Sequence, residues 1–390
     1  MQISKFVAPE IIFGVGALSQ VGESVLRLGA TKLFVVSDPG VVANQWVEKA
    51  VTSLKELGVS FEIWFEVTSN PKDYEVEAGV KQYLATGCDA VLAVGGGSPI
   101  DVAKAVAILA TNGGTIQDYE GINKITRPLP PLLVVPTTAG SGSEVSQFAI
   151  IVDTHRKVKM AIVSKSVIPD IAIIDPLVLQ TKDARLTAVT GLDALSHAIE
   201  SFVSLAATPL SDVHALNAIR LIAQYLRPSV ACRTNLQAKS AMAMAALQAG
   251  LAFSNAILGA THAMAHQLDA LLDLHHGETN AILLPHVMEF NKIACVDKFA
   301  QIAEALGENI DGLSRWKAAD RAVQAVRRLR RDLGLPESLP ANCLSHEQIA
   351  RLSRNALKDA CLVTNPRDVT EEDLYNLFLR ALRGGLSDDS

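Results

Sequence analysis

The stretch Ala90 to Ala110, AVLAVGGGSPIDVAKAVAILA, decides the fold of this chain. Ala90–Val94 is a short unbroken run of small and branched apolar residues, the composition of a strand buried on both faces. Gly95, Gly96 and Gly97 end it, and Pro99, a residue favoured in the first turn of a helix, opens a second apolar run to Ala110 that is long enough for one. A buried strand passing through glycine into a helix is half of a parallel βαβ unit. Upstream the same alternation recurs: strand Pro9–Phe13 and a helix ending near Leu28, strand Leu33–Ser37 and helix Val41–Leu57, strand Phe61–Phe65 and helix Asp73–Thr86. Downstream, strands are expected at Leu132–Val135, Phe148–Val152, Val158–Val163 and Ile171–Ile174. Beyond Asp183 the pattern changes to long Ala- and Leu-rich helical periods, among them Leu186–Val203, Ser211–Leu226, Ala238–Leu251 and Asp297–Leu306. The expectation is an α/β dinucleotide-binding domain with a parallel sheet over residues 1–183, followed by an all-α metal-binding domain over 184–390.

Composition excludes several classes. With 390 residues and 49% hydrophobic content the chain exceeds one ordinary core. A net charge of −6 offers no footprint for nucleic acid or an anionic membrane surface. The start, MQISKFVAPEIIFG, lacks an apolar signal core, and no run approaches the ~20 apolar residues of a membrane helix, so a cytoplasmic protein is expected. The five cysteines (Cys88, Cys232, Cys295, Cys343, Cys361) are odd in number and lack C-x-x-C spacing, which suits reduced thiols. A frayed end is expected at the GGLSDDS tail.

Two groups of residues carry chemistry. Gly95-Gly96-Gly97-Ser98, between strand and helix, brings backbone N–H groups and a helix N-terminus together as a phosphate seat. In GLDALSHAIE (Gly191–Glu200), Asp193 and His197 stand four apart on one helical face. THAMAHQL repeats that spacing with His262 and His266, and LHHGETN follows with His275 and His276, so four of the nine histidines fall within fifteen residues. Asp193, His197, His262 and His276 would supply three imidazoles and a carboxylate, a set suited to a divalent transition metal with an open position. His266, on the same face as His262, is the candidate for proton relay. His155, His214 and His346 read as ordinary core or capping residues.

Taken with VGGGSPIDVAKA (Val94–Ala105) and PTTAGSGSEVS (Pro136–Ser146), these motifs resemble the iron-containing alcohol dehydrogenase family, in the family's order and to about Leu382. The resemblance implies NAD and Fe(II), with Zn(II) acceptable to the same donors, and hydride transfer between a short primary alcohol and its aldehyde. It places Asp38 against the adenosine ribose, lines the cofactor with Thr137, Thr138, Ser141, Asn70 and Lys159, packs Leu179 near the adenine, and sets Asp101 at the glycine loop or nicotinamide end. Phe148, Phe253, Leu258 and Cys361 are implied at the substrate. Relatives commonly carry Pro before the last metal ligand where this chain has His275; Gly277 and the interval from His262 favour His276 as that ligand. A homodimer or higher homo-oligomer is expected. The alternatives are a hydroxyacid-oxoacid type transhydrogenase that retains its nucleotide and a metal lyase like dehydroquinate synthase.

Overall fold

A computed structural model describes residues 5–340 and 343–383; the GGLSDDS tail lies outside them. The described chain forms two compact units. One comprises Val7–Lys182 and, out of sequence order, Arg233–Ala243; the other comprises Asp183–Cys232 and the chain from Met244 onward, joined by Lys5 and Phe6.

The first unit holds nine strands: β1 (Glu10–Phe13), β2 (Lys32–Val36), β3 (Ser60–Trp64), β4 (Ala90–Gly95), β5 (Gly121–Ile122), β6 (Leu132–Pro136), β7 (Phe148–Asp153), β8 (Val158–Val163) and β9 (Ile171–Ile174). Six of them make one sheet in the order β1-β9-β6-β4-β2-β3, every pair parallel. β4 is buried along its whole length, with Leu92 opposite Val35 on one side and Leu133 on the other. Its carboxyl end is tied to both neighbours: Ser37 Oγ donates to Val94 O at 2.7 Å, and Thr137 N donates to Gly95 O at 2.8 Å. These bonds hold the loops after β2, β4 and β6 together at the carboxyl ends of the strands, where open α/β sheets bind their ligands.

The strands at Phe148 and Val158 do not extend that sheet. They pair antiparallel, Phe148 opposite Val163, and with β5 form a separate three-stranded sheet. Only a hairpin can be joined by a link as short as Thr154–Lys157, with Lys157 at φ 55; a parallel pair needs a crossover. The helix expected over Val41–Leu57 is likewise two pieces, Pro39–Ala43 and Trp46–Glu56, broken where Gln45 takes φ 61. Asn and Gln are compatible with a helix, so nothing local announces the break.

Beyond Asp183 every described regular element is a helix or a 3-10 turn. The helices Ala184–Val203 and Pro209–Ala231 pack closely at Gly191, where a Cβ would stand 2.3 Å from Leu226 Cδ1. Phe6 stacks on His214 at 5.5 Å between ring centroids. No single described helix is long and apolar enough to cross a membrane. Helix Leu236–Ala256 turns by 102° into helix Ala260–Leu272. At that bend Ile257 adopts φ 61, a left-handed conformation rarely taken by a β-branched residue, and its N–H reaches Phe253 O at 2.7 Å.

Candidate functional site

In the helical unit, Asp183 caps the helix Ala184–Val203 by accepting from Leu186 N at 2.7 Å, and this helix presents Asp193 and His197 one turn apart. His262 and His266 lie in the first turns of helix Ala260–Leu272, and His276 is the first residue of helix His276–Asn291. Three ring nitrogens approach one oxygen: Asp193 Oδ1 is 3.9 Å from Nε2 of His262, 3.9 Å from Nε2 of His276 and 4.0 Å from Nε2 of His197. The His197 ring is stacked between His262 (4.6 Å) and Phe253 (4.5 Å). Metal bonds of ~2.1 Å want ligand atoms ~3–3.5 Å apart, so the three nitrogens need to close on Asp193 Oδ1 by about half an ångström around an ion; the ligand atoms of Asp193, His262 and His276 all lie within 4.8 Å of one another, and His197 stands outside that tighter group.

The surroundings of these rings fit that use. His262 Nδ1 meets Glu200 Oε2 at 2.5 Å, and His276 Nδ1 meets Asp269 Oδ2 at 2.6 Å. Both carboxylates are buried and further tied, Glu200 by Thr261 N at 2.6 Å and Asp269 by Thr279 Oγ at 2.7 Å. A carboxylate that holds the Nδ1 proton leaves the Nε2 lone pair for a cation, the usual outer support of a metal-binding histidine. Asn280 Nδ2 donates to Asp193 Oδ1 at 2.7 Å and lies 3.1 Å from Nε2 of both His262 and His276. Its own Oδ1 is buried without a partner. Burial alone would raise the Asp193 carboxyl, but the His197, His276 and His262 imidazoles and the Asn280 amide outweigh it and bring it down to about 2. Asp193 is therefore an anion surrounded by nitrogen donors, and the residues present fit a divalent ion.

His266 stands apart from this convergence. Its Nδ1 meets Asp359 Oδ2 at 2.9 Å, while its ring stacks on His276 with centroids 5.6 Å apart. Burial raises Asp359, but His266 and the N–H of Cys361 hold it below the ordinary carboxylate range. Phe253, Leu258 and Cys361 are buried in the same unit, and burial pushes the Cys361 thiol far up, so it is neutral. His275 is exposed and serves as the N-cap of helix His276–Asn291, its carbonyl accepting from Glu278 N and Thr279 N.

In the α/β unit the glycine loop lies against the loop after β6. A Cβ on Gly96 would stand 3.3 Å from Thr138, one on Gly97 3.0 Å from Ser141, and one on Gly95 2.5 Å from Pro99. Ser98 follows in helix Gly97–Asn112, whose N-terminus has no side-chain cap, so its first N–H groups stay open to a ligand. Thr137 Oγ is buried without a partner. Asp38, at the end of β2, accepts from Val41 N at 2.9 Å and so caps the helix Pro39–Ala43. Asn70 (φ 49) precedes Pro71, whose O accepts from Val152 N at 2.7 Å, and Lys159 is the cross-strand partner of Val152. Leu179 is buried in the 3-10 turn Pro176–Thr181. One Asp101 oxygen accepts from Ile150 N at 3.1 Å and the other is buried without a partner; burial, partly offset by Lys104, raises this carboxyl to about 6. Asp101 thus ties its helix to β7. Phe148 is in this unit, apart in the chain from the other three residues implied at the substrate, and its carbonyl accepts from buried Lys104 Nζ at 2.7 Å.

Glu200, Asp269, Asn280 and Asp359 are the residues that sequence reasoning missed. Glu200 shares a helical face with His197 and could have been suspected, since carboxylates commonly orient ligating histidines. Asp359 lies 93 residues from its partner His266, and no spacing rule reaches that far.

Comparison with known proteins adds independent findings. Residues 8–176 match a family model described as iron-containing alcohol dehydrogenase, and residues 187–382 one described as the C-terminal part of the Fe-containing alcohol dehydrogenase family. The chain is 44% identical over 379 residues to a 1,3-propanediol dehydrogenase of Citrobacter freundii, covering 96% of this chain and 98% of that one. It is 40% identical over 377 residues to an NAD-dependent methanol dehydrogenase of Bacillus methanolicus, covering 97% and 99%. The crystal structure of a 1,3-propanediol oxidoreductase superposes with a TM-score of 0.94 at 44% identity, covering 97% of this chain and all of that one.

Proposed function

The chain belongs to the iron-containing alcohol dehydrogenase family and is an oxidoreductase, and from that premise we propose that it interconverts a short primary alcohol and its aldehyde, using NAD and a divalent ion, Fe(II) or with the same donors Zn(II). The observation that carries this reading is the approach of three Nε2 atoms to Asp193 Oδ1, two of the three rings backed by buried carboxylates.

Asp193, His197, His262 and His276 would hold the ion. When bound, such an ion acts as a Lewis acid that makes an alcohol hydroxyl acidic, and the nicotinamide takes up the hydride. Glu200 and Asp269 keep the ligand rings in the tautomer that offers Nε2. His266 receives the hydroxyl proton, so alcohol and NAD yield aldehyde, NADH and one proton that passes on to solvent. Phe253, Leu258 and the neutral Cys361 thiol bring no charge to the substrate, which suits a small uncharged one. Gly95–Ser98, with Thr137, Thr138 and Ser141, seat the dinucleotide phosphates. Free NADH is expected to accumulate, by fluorescence, when the Fe(II)-loaded protein meets NAD and a panel of short primary alcohols. Turnover only in the presence of a second carbonyl substrate, with nucleotide retained on the protein, would replace this reading with that of a transhydrogenase.

Two residues give sharper tests. His275 is exposed and His276 is held by Asp269, so His275→Pro should keep its metal content and turnover, whereas His276→Ala should lose both. The reverse pattern would identify the wrong histidine. Asp38 caps a helix through Oδ1, and we assign its carboxylate a second role at the ribose hydroxyls, where its charge repels the 2′-phosphate of NADP. Asn keeps a capping oxygen and removes the charge. In Asp38→Asn the kcat/KM preference for NAD over NADP should therefore fall at least about tenfold, NAD itself losing ~1.5 kcal/mol or more with the bond to a charged group. An unchanged ratio would leave Asp38 a helix cap and nothing more.

A further inference from the structure

Three histidines of the helical unit are paired through the same ring atom with three carboxylates: His262 with Glu200, His276 with Asp269, and His266 with Asp359. The first two pairs turn Nε2 toward Asp193. In the third, Asp359 Oδ2 lies 2.9 Å from His266 Nδ1, and among the described residues His266 does not join the Asp193, His262 and His276 cluster but groups with Asp359 and Cys361, whose buried thiol stays protonated and so is a poor metal ligand. The third pair is thus the same device with its Nε2 left over from metal binding.

Its construction is rigid. Asp359 and His266 side chains are each 6% exposed. Asp359 Oδ1 accepts from Cys361 N at 2.9 Å, and Gln267 Nε2 reaches Oδ2 at 3.4 Å. The His266 ring lies nearly parallel to His276, at 15°, and edge-on to His262, at 69° and 6.2 Å between centroids. With Nδ1 held at Asp359, Nε2 is on the other edge of a ring already fixed against both candidate ligands. An ionised carboxylate can only accept, so the proton between them belongs to Nδ1, and Nε2 carries the lone pair.

We propose that Asp359 is a positioning residue of the reaction: it holds His266 in the Nδ1–H tautomer, so that Nε2 accepts the proton leaving the alcohol hydroxyl, and it stabilises the imidazolium that results. The bond broken is the substrate O–H and the bond formed is Nε2–H, while Nδ1–H stays in place; the proton then leaves Nε2 for solvent and the ring returns to its starting tautomer. This rests on the reading of His266 as proton relay.

The test is Asp359→Asn. An amide oxygen can still accept from Cys361 N, which turns the amide NH₂ toward His266 Nδ1 and forces the opposite tautomer. The expected result is a fall in kcat of ~10²–10⁴-fold, the usual contribution of general acid–base catalysis, with KM and metal content within about threefold of wild type. Nitrogen-15 spectra of histidine-labelled, Zn(II)-loaded protein should show His266 as Nδ1–H in wild type and Nε2–H in Asp359→Asn. Asp359→Glu, which keeps the carboxylate, should retain the wild-type tautomer and a higher kcat than the Asn variant. In a His266→Ala background, Asp359→Asn should cost almost nothing further in kcat, since it acts through the ring.

The two readings fail separately. A His266→Ala protein with full kcat would remove the relay itself. A His266→Ala protein that is impaired, beside an Asp359→Asn protein with unchanged kcat and tautomer, would overturn the role of Asp359 alone. An Asp359→Asn protein that loses thermal stability while its kcat and tautomer match wild type would make Asp359 a cap of the turn Ala360–Thr364 only.

Discussion

Asp193→Asn is expected to leave a folded protein that retains no metal ion and turns over no alcohol, and His262→Ala is expected to do the same at a further cost in stability. The difference follows from what each change strands. Asn at 193 keeps the shape of the side chain and removes the anion on which three Nε2 atoms converge at 3.9–4.0 Å. Residues that merely orient metal ligands are worth 10–100-fold in metal affinity or activity, so removing a ligand should exceed about 100-fold. Alanine at 262 also leaves Glu200, 3% exposed, without the ring that meets its Oε2 at 2.5 Å. An uncompensated buried charge costs on the order of 3–5 kcal/mol. The Glu200 backbone contact through Thr261 N, at 2.6 Å, limits that loss and does not replace it. Metal analysis, activity and urea unfolding on both variants measure all three quantities, and nucleotide binding by fluorescence should survive in both, because the glycine loop belongs to the other compact unit. A His262→Ala protein with full activity and one ion per chain would dismiss the ligand set.

Gly277→Ala should be nearly as damaging, although it touches no candidate ligand atom. In an ordinary helix interior the change would favour folding by about 0.5–1 kcal/mol. Here the added Cβ would stand 2.3 Å from Val189 O and 2.8 Å from Val189 C, both backbone atoms, and 3.3 Å from Asp193 Cβ. Backbone cannot swing aside as a side-chain tip can, so helix His276–Asn291 must move off helix Ala184–Val203. Overpacking of this kind costs about 3 kcal/mol, enough to overturn the propensity gain. The same movement draws His276 away from Asp193, and metal affinity should fall at least about tenfold with it. Denaturant unfolding and metal titration decide the matter: wild-type values for both would show that the two helices separate without cost, and that Gly277 is there for another reason.

Some of this protein was legible from the order of its residues. The strand at Ala90 reads as buried because it is apolar without alternation, and it is the fully buried centre of the sheet. Asp193, His197, His262 and His266 stand out because four-residue spacing on an apolar helix puts two side chains on one face, a property of the helix itself. The glycines at 95–97 announce themselves since only a residue without Cβ lets two loops come as close as Gly97 and Ser141 do, 3.0 Å from a built Cβ. Periodicity is a local quantity, and where the neighbour along the chain is the cause, sequence suffices.

What it could not show was decided by neighbours distant in sequence or by chain geometry. β7 and β8 have the apolar composition of sheet strands, but which sheet they join depends on a four-residue link too short for a crossover. The break at Asn44–Gln45 and the strained Ile257 are imposed on residues that would accept a helix. Above all, the carboxylates that accept the Nδ1 proton of each histidine, and so fix where it stays, lie 62, 7 and 93 residues away, for His262, His276 and His266 respectively. A histidine in isolation has two equivalent chances to be donor or acceptor; which nitrogen keeps its proton is set by the group packed against the other side of the ring. The sequence determined which side chains could bind a metal or move a proton, and the tertiary structure decided the division between them, because only folding brings Glu200 and Asp269 to the rings that face Asp193 and Asp359 to the one that does not.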